Sequence, residues 1–320
     1  MSDYDVAVIG GGAAGLSAAL VLSRARRRVA VVDAGRPRNA PAAHMHGFLS
    51  RDGFPPQDLL ALGRAEVRGY GGDIIDGTVA HVEHRTGSDF RGSDLRGSDF
   101  RVGLADGSVL RARRLLVATG LQDVLPDVPG VRERFGRDVL HCPYCHGYEV
   151  RDQPIGVLGG TPEAVQHAQL VRQWSADVIF FPHTDVLTPD HREQLAARGI
   201  GVVDGPVRRV VVDEDRLSGV ELGHGVVVTR AAVFVRPGSV PHSDVLVALG
   251  AAVDDRGWVV TDATGRTTVP GVWAAGNVAD PRAQVITAAG QGSAAAIAVN
   301  ADLVESDVAE PVKDVLSRPV

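Results

Sequence analysis

The sequence predicts an α/β protein in which a first strand–helix–strand unit is interrupted by a second, smaller one. Three observations predict it. Residues 4–9 read as a buried parallel strand that opens onto the glycine loop Gly10-Gly11-Gly12-Ala13-Ala14-Gly15. A second such strand, Pro154-Ile-Gly-Val-Leu-Gly159, opens onto a second glycine turn. After a β-rich stretch the chain returns to a short strand at 271–276 and an Ala-rich helical run at 285–305, which places the end of the chain with its beginning. Candidate hinges are Thr119-Gly120-Leu121 and Arg236-Pro237-Gly238-Ser239, both glycine-bearing.

The elements follow in order. A helix is expected from the glycine loop to about Arg26, then a strand, Val29-Ala-Val-Val-Asp33. Residues 57–70 have the apolar spacing of an amphipathic helix, and 73–84 and 100–118 alternate like antiparallel strands. Between these strands a five-residue unit recurs at Gly87, Gly92 and Gly97 as Gly-Ser-Asp-Phe/Leu-Arg. Three short copies cannot build a solenoid, and Gly-Ser-Asp is turn chemistry, so the repeat reads as an extended hairpin loop. In the second unit a helix is expected over 162–174, with Thr161 as its hydroxyl cap and Pro162 at its first position. A strand at 177–181 and a helix at 189–198 follow.

Composition narrows the function. Apolar residues make up 44% of 320, enough for two packed cores. The formal net charge of -6 argues against nucleic acid or an anionic membrane as partner. No apolar run approaches the ~20 residues of a membrane span, and the N-terminus lacks the basic and apolar regions of a secretory signal. A cytoplasmic protein is expected.

The first glycine loop carries chemistry. Strand, Gly10-x-Gly12-x-x-Gly15, helix, strand and acid is the dinucleotide fingerprint. Gly10 permits the tight turn, Gly12 lets a pyrophosphate approach the backbone, and Gly15 lets the helix pack on the strand. The amides of Ala13 and Ala14 at the helix start face the phosphates. Asp33, ending the second strand, is placed to hold ribose hydroxyls. The second loop departs from this pattern. Thr161 stands where the middle glycine belongs, and the strand that follows ends in Pro182-His183-Thr184-Asp185, with no basic cluster for a 2′-phosphate. The fold of a nicotinamide domain is kept and its ligand chemistry is lost.

Both cysteines, 2 in the whole chain, lie in His141-Cys142-Pro143-Tyr144-Cys145-His146. Cys-x-x-Cys-His is the pattern of c-type haem attachment, but that chemistry needs export. Zinc could draw on His141, Cys142, Cys145 and His146, but structural zinc usually takes a second, distant ligand pair. Two inert buried thiols have no need to sit so close. A redox disulfide needs this spacing, and a neighbouring histidine can stabilise a thiolate. No metal site is expected, and the spacing does not order the two cysteines in role.

Further motifs carry a resemblance. Leu116-Val-Ala118-Thr119-Gly120 and Gly276-Asn277-Val278 resemble the second and third marks of two-dinucleotide flavoproteins, which favours FAD over NAD at the first loop. With Cys142-Pro-Tyr-Cys145-His146-Gly147 and Ala283-Gln284-Val285, nearly the whole chain resembles the low-molecular-weight thioredoxin reductases. It is most similar to their dithiol-oxidase offshoot, the flavoenzymes that close the disulfide of holomycin- and gliotoxin-type natural products. Asp33-Ala34-Gly35-Arg36-Pro37-Arg38-Asn39, with His44 and His46, also looks like that offshoot.

The resemblance implies a Rossmann-like FAD domain, 1–119 and 240–320, interrupted by a smaller NAD(P)-like domain, 120–239, that carries the cysteines. It implies FAD contacts from the glycine loop, Asp33, Ala34, Arg38, Asn39, Ala118, Thr119, Gly120, Gly276, Asn277, Ala283, Gln284 and Val285. Cys145 becomes the flavin-proximal thiol, Cys142 the exchange thiol, and His146, where reductases carry an acid, the acid/base. The final helix would aim its N-terminus at the flavin pyrimidine. Asn277 replaces the usual Asp of its motif and can still bond the ribityl chain. The implied activity is oxidation of a small dithiol with O2 as acceptor, giving H2O2, in a homodimer. One alternative is a thioredoxin reductase fed by NADPH, with thioredoxin as partner. Another is a non-enzymatic flavin/disulfide sensor. His44 and His46 read as ordinary loop histidines as readily as pocket residues.

Overall fold

A computed structural model describes residues 2–85, 99–161 and 163–316. Apart from 99–101, the repeat at 87–101 lies outside the described residues, as does Pro162. The chain divides into two units: Met1–Ala40, Pro55–Gln122 and Val240–Val320 form the first, and Pro41–Phe54 with Asp123–Ser239 form the second.

The first unit is built on a seven-stranded sheet. Its opening strand, Ser2–Ile9, pairs in parallel with Val29–Asp33 on one side and with Val109–Val117 on the other. Asp73–Asp76 extends the sheet as a further parallel strand beside Val29–Asp33. This differs from the antiparallel reading of 73–84. The crossover through the helix Pro56–Gly69 returns the chain in the same direction, and only Val79–Arg85 and Asp99–Leu104 form an antiparallel meander onto Val109–Val117. That last strand keeps Asp99–Leu104 at its start and takes Val272–Ala274 in parallel at its end.

The two-residue period of the strands divides the core. Ala7, Ile9, Leu115, Val117, Val272 and Ala274 are buried on one face of the sheet. Val6, Val8, Leu116 and Trp273 are buried on the other, against the helices Ala13–Arg24 and Val285–Leu316. Those two helices meet at a glycine: a side-chain carbon on Gly292 would collide with the backbone of Ala14. The final helix runs further than the 285–305 expected, since no proline or glycine breaker intervenes before Glu310-Pro311 and an ordinary proline at that point does not end it.

The second unit holds a five-stranded parallel sheet in the order Gly201–Val202, Val178–Phe181, Ile155–Leu158, Ala232–Phe234, Val139–Leu140. A three-stranded antiparallel sheet, Val207–Asp213, Arg216–Leu222 and Val227–Thr229, supplies the β-rich stretch. The loop Pro41–Phe54 belongs to this unit although the sequence around it belongs to the first. It is closed by a bridge between Met45 and Phe54, and its Pro41 packs where a side chain on Gly136 would stand.

Candidate active site

In the first unit the glycine loop has the shape its residues imply. Gly10 has φ +109°, and a side-chain carbon there would run into the carbonyl of Ala118. One on Gly15 would strike the carbonyl of Gly10, so strand and helix approach through two glycines. Gly12 instead faces open space, with nothing within 4 Å of that position. It is the N-cap of the helix Ala13–Arg24 and offers no side chain, which leaves the first-turn amides directed at whatever enters that space. Gly276, at φ +77°, sits against Ala14, so the third motif closes on the first.

Other predicted residues gain partners that sequence reasoning missed. Asp33 forms an ion pair with Arg64 of the helix Pro56–Gly69, and its second oxygen accepts the Gly35 amide at 3.2 Å. Thr119 donates its hydroxyl to the carbonyl of His242 at 2.6 Å, a clasp at the end of the strand. Ala34 is exposed, and Asn39 half-buried, on the loop after Asp33. The Asn277 amide nitrogen donates to the carbonyls of Asp280 and Ala283, at 2.9 and 3.0 Å, while its oxygen faces Arg38 at 3.4 Å. An Asp could not make either donation. The residue thus ties the turn that delivers Gln284 and Val285 to the start of the final helix, and its oxygen retains a lone pair for a ligand.

In the second unit Cys142 and Cys145 form a disulfide, with Cα atoms 5.2 Å apart. Cys142 caps the single helical turn Pro143–His146, with proline at its first position. Its carbonyl accepts the amides of Cys145 and His146, both at 3.1 Å. Gly147 follows because a side chain there would meet the ring of Trp174. That ring holds the exposed Tyr144 edge-on, 5.5 Å between centroids. Burial pushes the pKa of His146 below the ordinary histidine value, Glu149 draws it back up, and His46 pushes it down. At neutral pH the ring is therefore a neutral base beside the disulfide. His46 arrives from the loop Pro41–Phe54, with Nε2 3.5 Å from Glu149 Oε1 and Nδ1 3.3 Å from Asp52 Oδ2. Glu149 escaped the sequence reading although it stands one turn beyond His146, and no spacing rule marks His46 as its partner.

The second glycine loop is closed by the chain itself. The Gly160 amide donates to the carboxylate of Asp185 at 2.6 Å. The adjacent helix begins later than expected, at Ala164 with Glu163 as its cap. Thr161 caps nothing: its hydroxyl is buried without a hydrogen-bond partner among the described residues, because its carbonyl, not its hydroxyl, receives the Ala164 amide. A pyrophosphate at this loop would meet a carboxylate and a threonine side chain, so these residues do not fit a nicotinamide dinucleotide.

The sequence matches the pyridine nucleotide-disulphide oxidoreductase family over residues 4–292. The chain belongs to that family. Thioredoxin reductase sirT of Leptosphaeria maculans is 32% identical over 324 residues, which cover 96% of this chain and 97% of sirT. The crystal structure of HlmI matches with a TM-score of 0.92 at 57% identity, over 98% of this chain and 96% of that one. A putative thioredoxin reductase TrxB from Bacillus anthracis matches with a TM-score of 0.86 at 33% identity, over 94% and 99%. Oxidoreductases of this thioredoxin-reductase type are FAD-binding flavoproteins with a redox-active cysteine pair. The open face of Gly12, the Ala118 and Gly276 contacts and the free lone pair of Asn277 fit that cofactor in the first unit. No helix among the described residues is long and apolar enough to cross a membrane.

Proposed function

We propose that this flavoenzyme oxidises a small dithiol to its intramolecular disulfide. The observation that carries this over a reductase is the Asp185 carboxylate seated on the Gly160 amide. A chain whose second phosphate loop holds its own anion is poorly built to receive electrons from NADPH, so electrons must enter as thiols. The resemblance of the chain to the dithiol-oxidase flavoenzymes supports the same direction.

The residues divide the work as follows. A substrate thiol gives its proton to neutral His146 and attacks the Cys142 sulfur, forming a mixed disulfide as the Cys142–Cys145 bond breaks. Cys145 leaves as a thiolate, a step that the His146 imidazolium favours. The second substrate thiol attacks the same substrate sulfur and closes the product disulfide, and its proton passes to the departing Cys142, which is released as a thiol. The chemistry supplied by bound FAD is acceptance of the electron pair from the reduced cysteines and its delivery to O2 as H2O2. Gly12, Ala13 and Ala14 would hold the cofactor's pyrophosphate, and the start of the final helix would supply its dipole to the bound group. A homodimer in the cytoplasm is part of this reading.

Anaerobic stopped-flow absorbance near the flavin band is the test. Rapid bleaching by dithiothreitol, recovery on admitting oxygen and no response to NADPH is the expected pattern. Rapid bleaching by NADPH would falsify the oxidase reading and favour a thioredoxin reductase, the name that sirT carries.

A further inference from the structure

The neutral His146 that accepts a thiol proton is half-buried, and it must lose that proton before it can serve again. Closing the substrate disulfide frees two thiol protons, and the one taken by His146 must leave the thiol site. Its route is a question about this chain's own residues.

His46 has both ring nitrogens facing carboxylates, Glu149 on the side of His146 and Asp52 on the other. A loop histidine needs one such contact for orientation. Asp52 supplies it, since its other oxygen accepts the Gly47 amide at 2.8 Å and is thereby fixed within the loop. The second contact, to Glu149, reaches across about a hundred residues of sequence to the segment that carries the disulfide. Of the three, Glu149 is 42% exposed, His46 22% and Asp52 70%, so the row ends at its most exposed member. The titratable groups facing His46 are therefore Asp52, Glu149 and His146. The contact to Asp52 is a hydrogen bond, and the one to Glu149 is a looser ion-pair contact.

We propose that His46 is a positioning residue of thiol–disulfide exchange, which with Glu149 passes the substrate thiol's proton from His146 to the exposed Asp52 carboxylate. No bond between heavy atoms changes in this transfer: His146 loses the proton it took from the thiol, Asp52 hands it to water, and every residue returns to its starting state. The inference rests on the dithiol reading above.

The test uses wild-type holoenzyme, His46→Gln and His46→Ala, each mixed anaerobically with dithiothreitol from about pH 6 to about pH 9.5, a range that spans the ordinary thiol pKa. The variants are expected to reduce flavin about ten-fold more slowly near neutral pH. The deficit closes above about pH 9, where the thiol ionises unaided. An equal deficit at every pH, the mark of a merely structural role, overturns the relay, and so does the absence of any deficit. A wild type that dithiothreitol does not reduce overturns the dithiol reading itself, and the relay with it. The oxidised protein gives a readout independent of turnover, the NMR titration of the His146 ring. Its midpoint is expected to rise in His46→Gln and to fall in Glu149→Gln. A midpoint unmoved in both overturns the coupling.

Discussion

At the scale of single residues, Asn277 shows how one atom decides a role. The sequence offered it as a ligand of the ribityl chain standing in for an acid. The structure gives a positive reason for the amide, because only a donor satisfies the carbonyls of Asp280 and Ala283. Asn277→Asp keeps size and shape, removes both donations and aims charge at two carbonyl oxygens. The expected cost is about 1–3 kcal/mol, read as a lower unfolding temperature and faster flavin loss. The new ion pair with Arg38 offsets only part of it. Unchanged flavin retention refutes this account. His167 makes a second residue-scale case. It is 5% exposed, and burial, with Arg236 second, pushes its pKa down to about 4. The unfolded chain therefore binds a proton that the folded chain refuses between about pH 6.5 and about pH 4. Stability from this group is complete above that window and falls by about 3 kcal/mol as pH drops through it. Denaturant unfolding of wild type against His167→Gln, compared at the two ends of the window, checks the sign. A wild type that loses no more than the variant on acidification contradicts it.

At the scale of elements, the first and final helices are joined through a missing side chain. Gly292 lies against the backbone of Ala14, in the first turn of the helix that follows the glycine loop. Gly292→Ala would normally favour a helix, by about 1 kcal/mol. Here the added methyl must push Ala14 aside, an overpacking cost of about 1–3 kcal/mol. The expected result is a folded protein purified with less flavin, and full flavin occupancy would show that the helices yield without moving the loop. This glycine was invisible to sequence reasoning, since an Ala-rich helix carries glycines for no readable reason. The elements themselves were largely legible. Buried parallel strands announce themselves by unbroken apolar runs, as in Val29–Asp33 and Ile155–Leu158, and glycine loops by their spacing. The direction of Asp73–Asp76 was not, because alternation reports burial on one face and says nothing about which neighbour a strand pairs with. The cap of the helix Ala164–Val171 was misplaced because a threonine before a proline has the chemistry of a cap whether or not its hydroxyl turns toward the helix.

At the scale of the whole molecule, the chain contains two glycine loops of the same ancestry in shape and opposite in availability. The first leaves open space at Gly12; the second spends the Gly160 amide on Asp185. Half of that contrast could be read in the sequence, where Thr161 replaces a glycine. The other half could not, because nothing in the sequence shows that the Asp185 carboxylate turns back onto the loop. The two obstacles are separate, so removing one leaves the other. Asp185→Ser frees the amide but keeps the threonine side chain in the pyrophosphate path, and Thr161→Gly clears the path but leaves an anion at its end. Only the double variant Thr161→Gly/Asp185→Ser is expected to bind a reduced nicotinamide dinucleotide, measured by calorimetry so that the result does not depend on electrons reaching the flavin. With no basic cluster after Phe181, it should take NADH at least as well as NADPH. Wild-type binding of either nucleotide as tight as that of the double variant would mean that Asp185 swings away at little cost, and that the closed loop is a gate rather than a lost site.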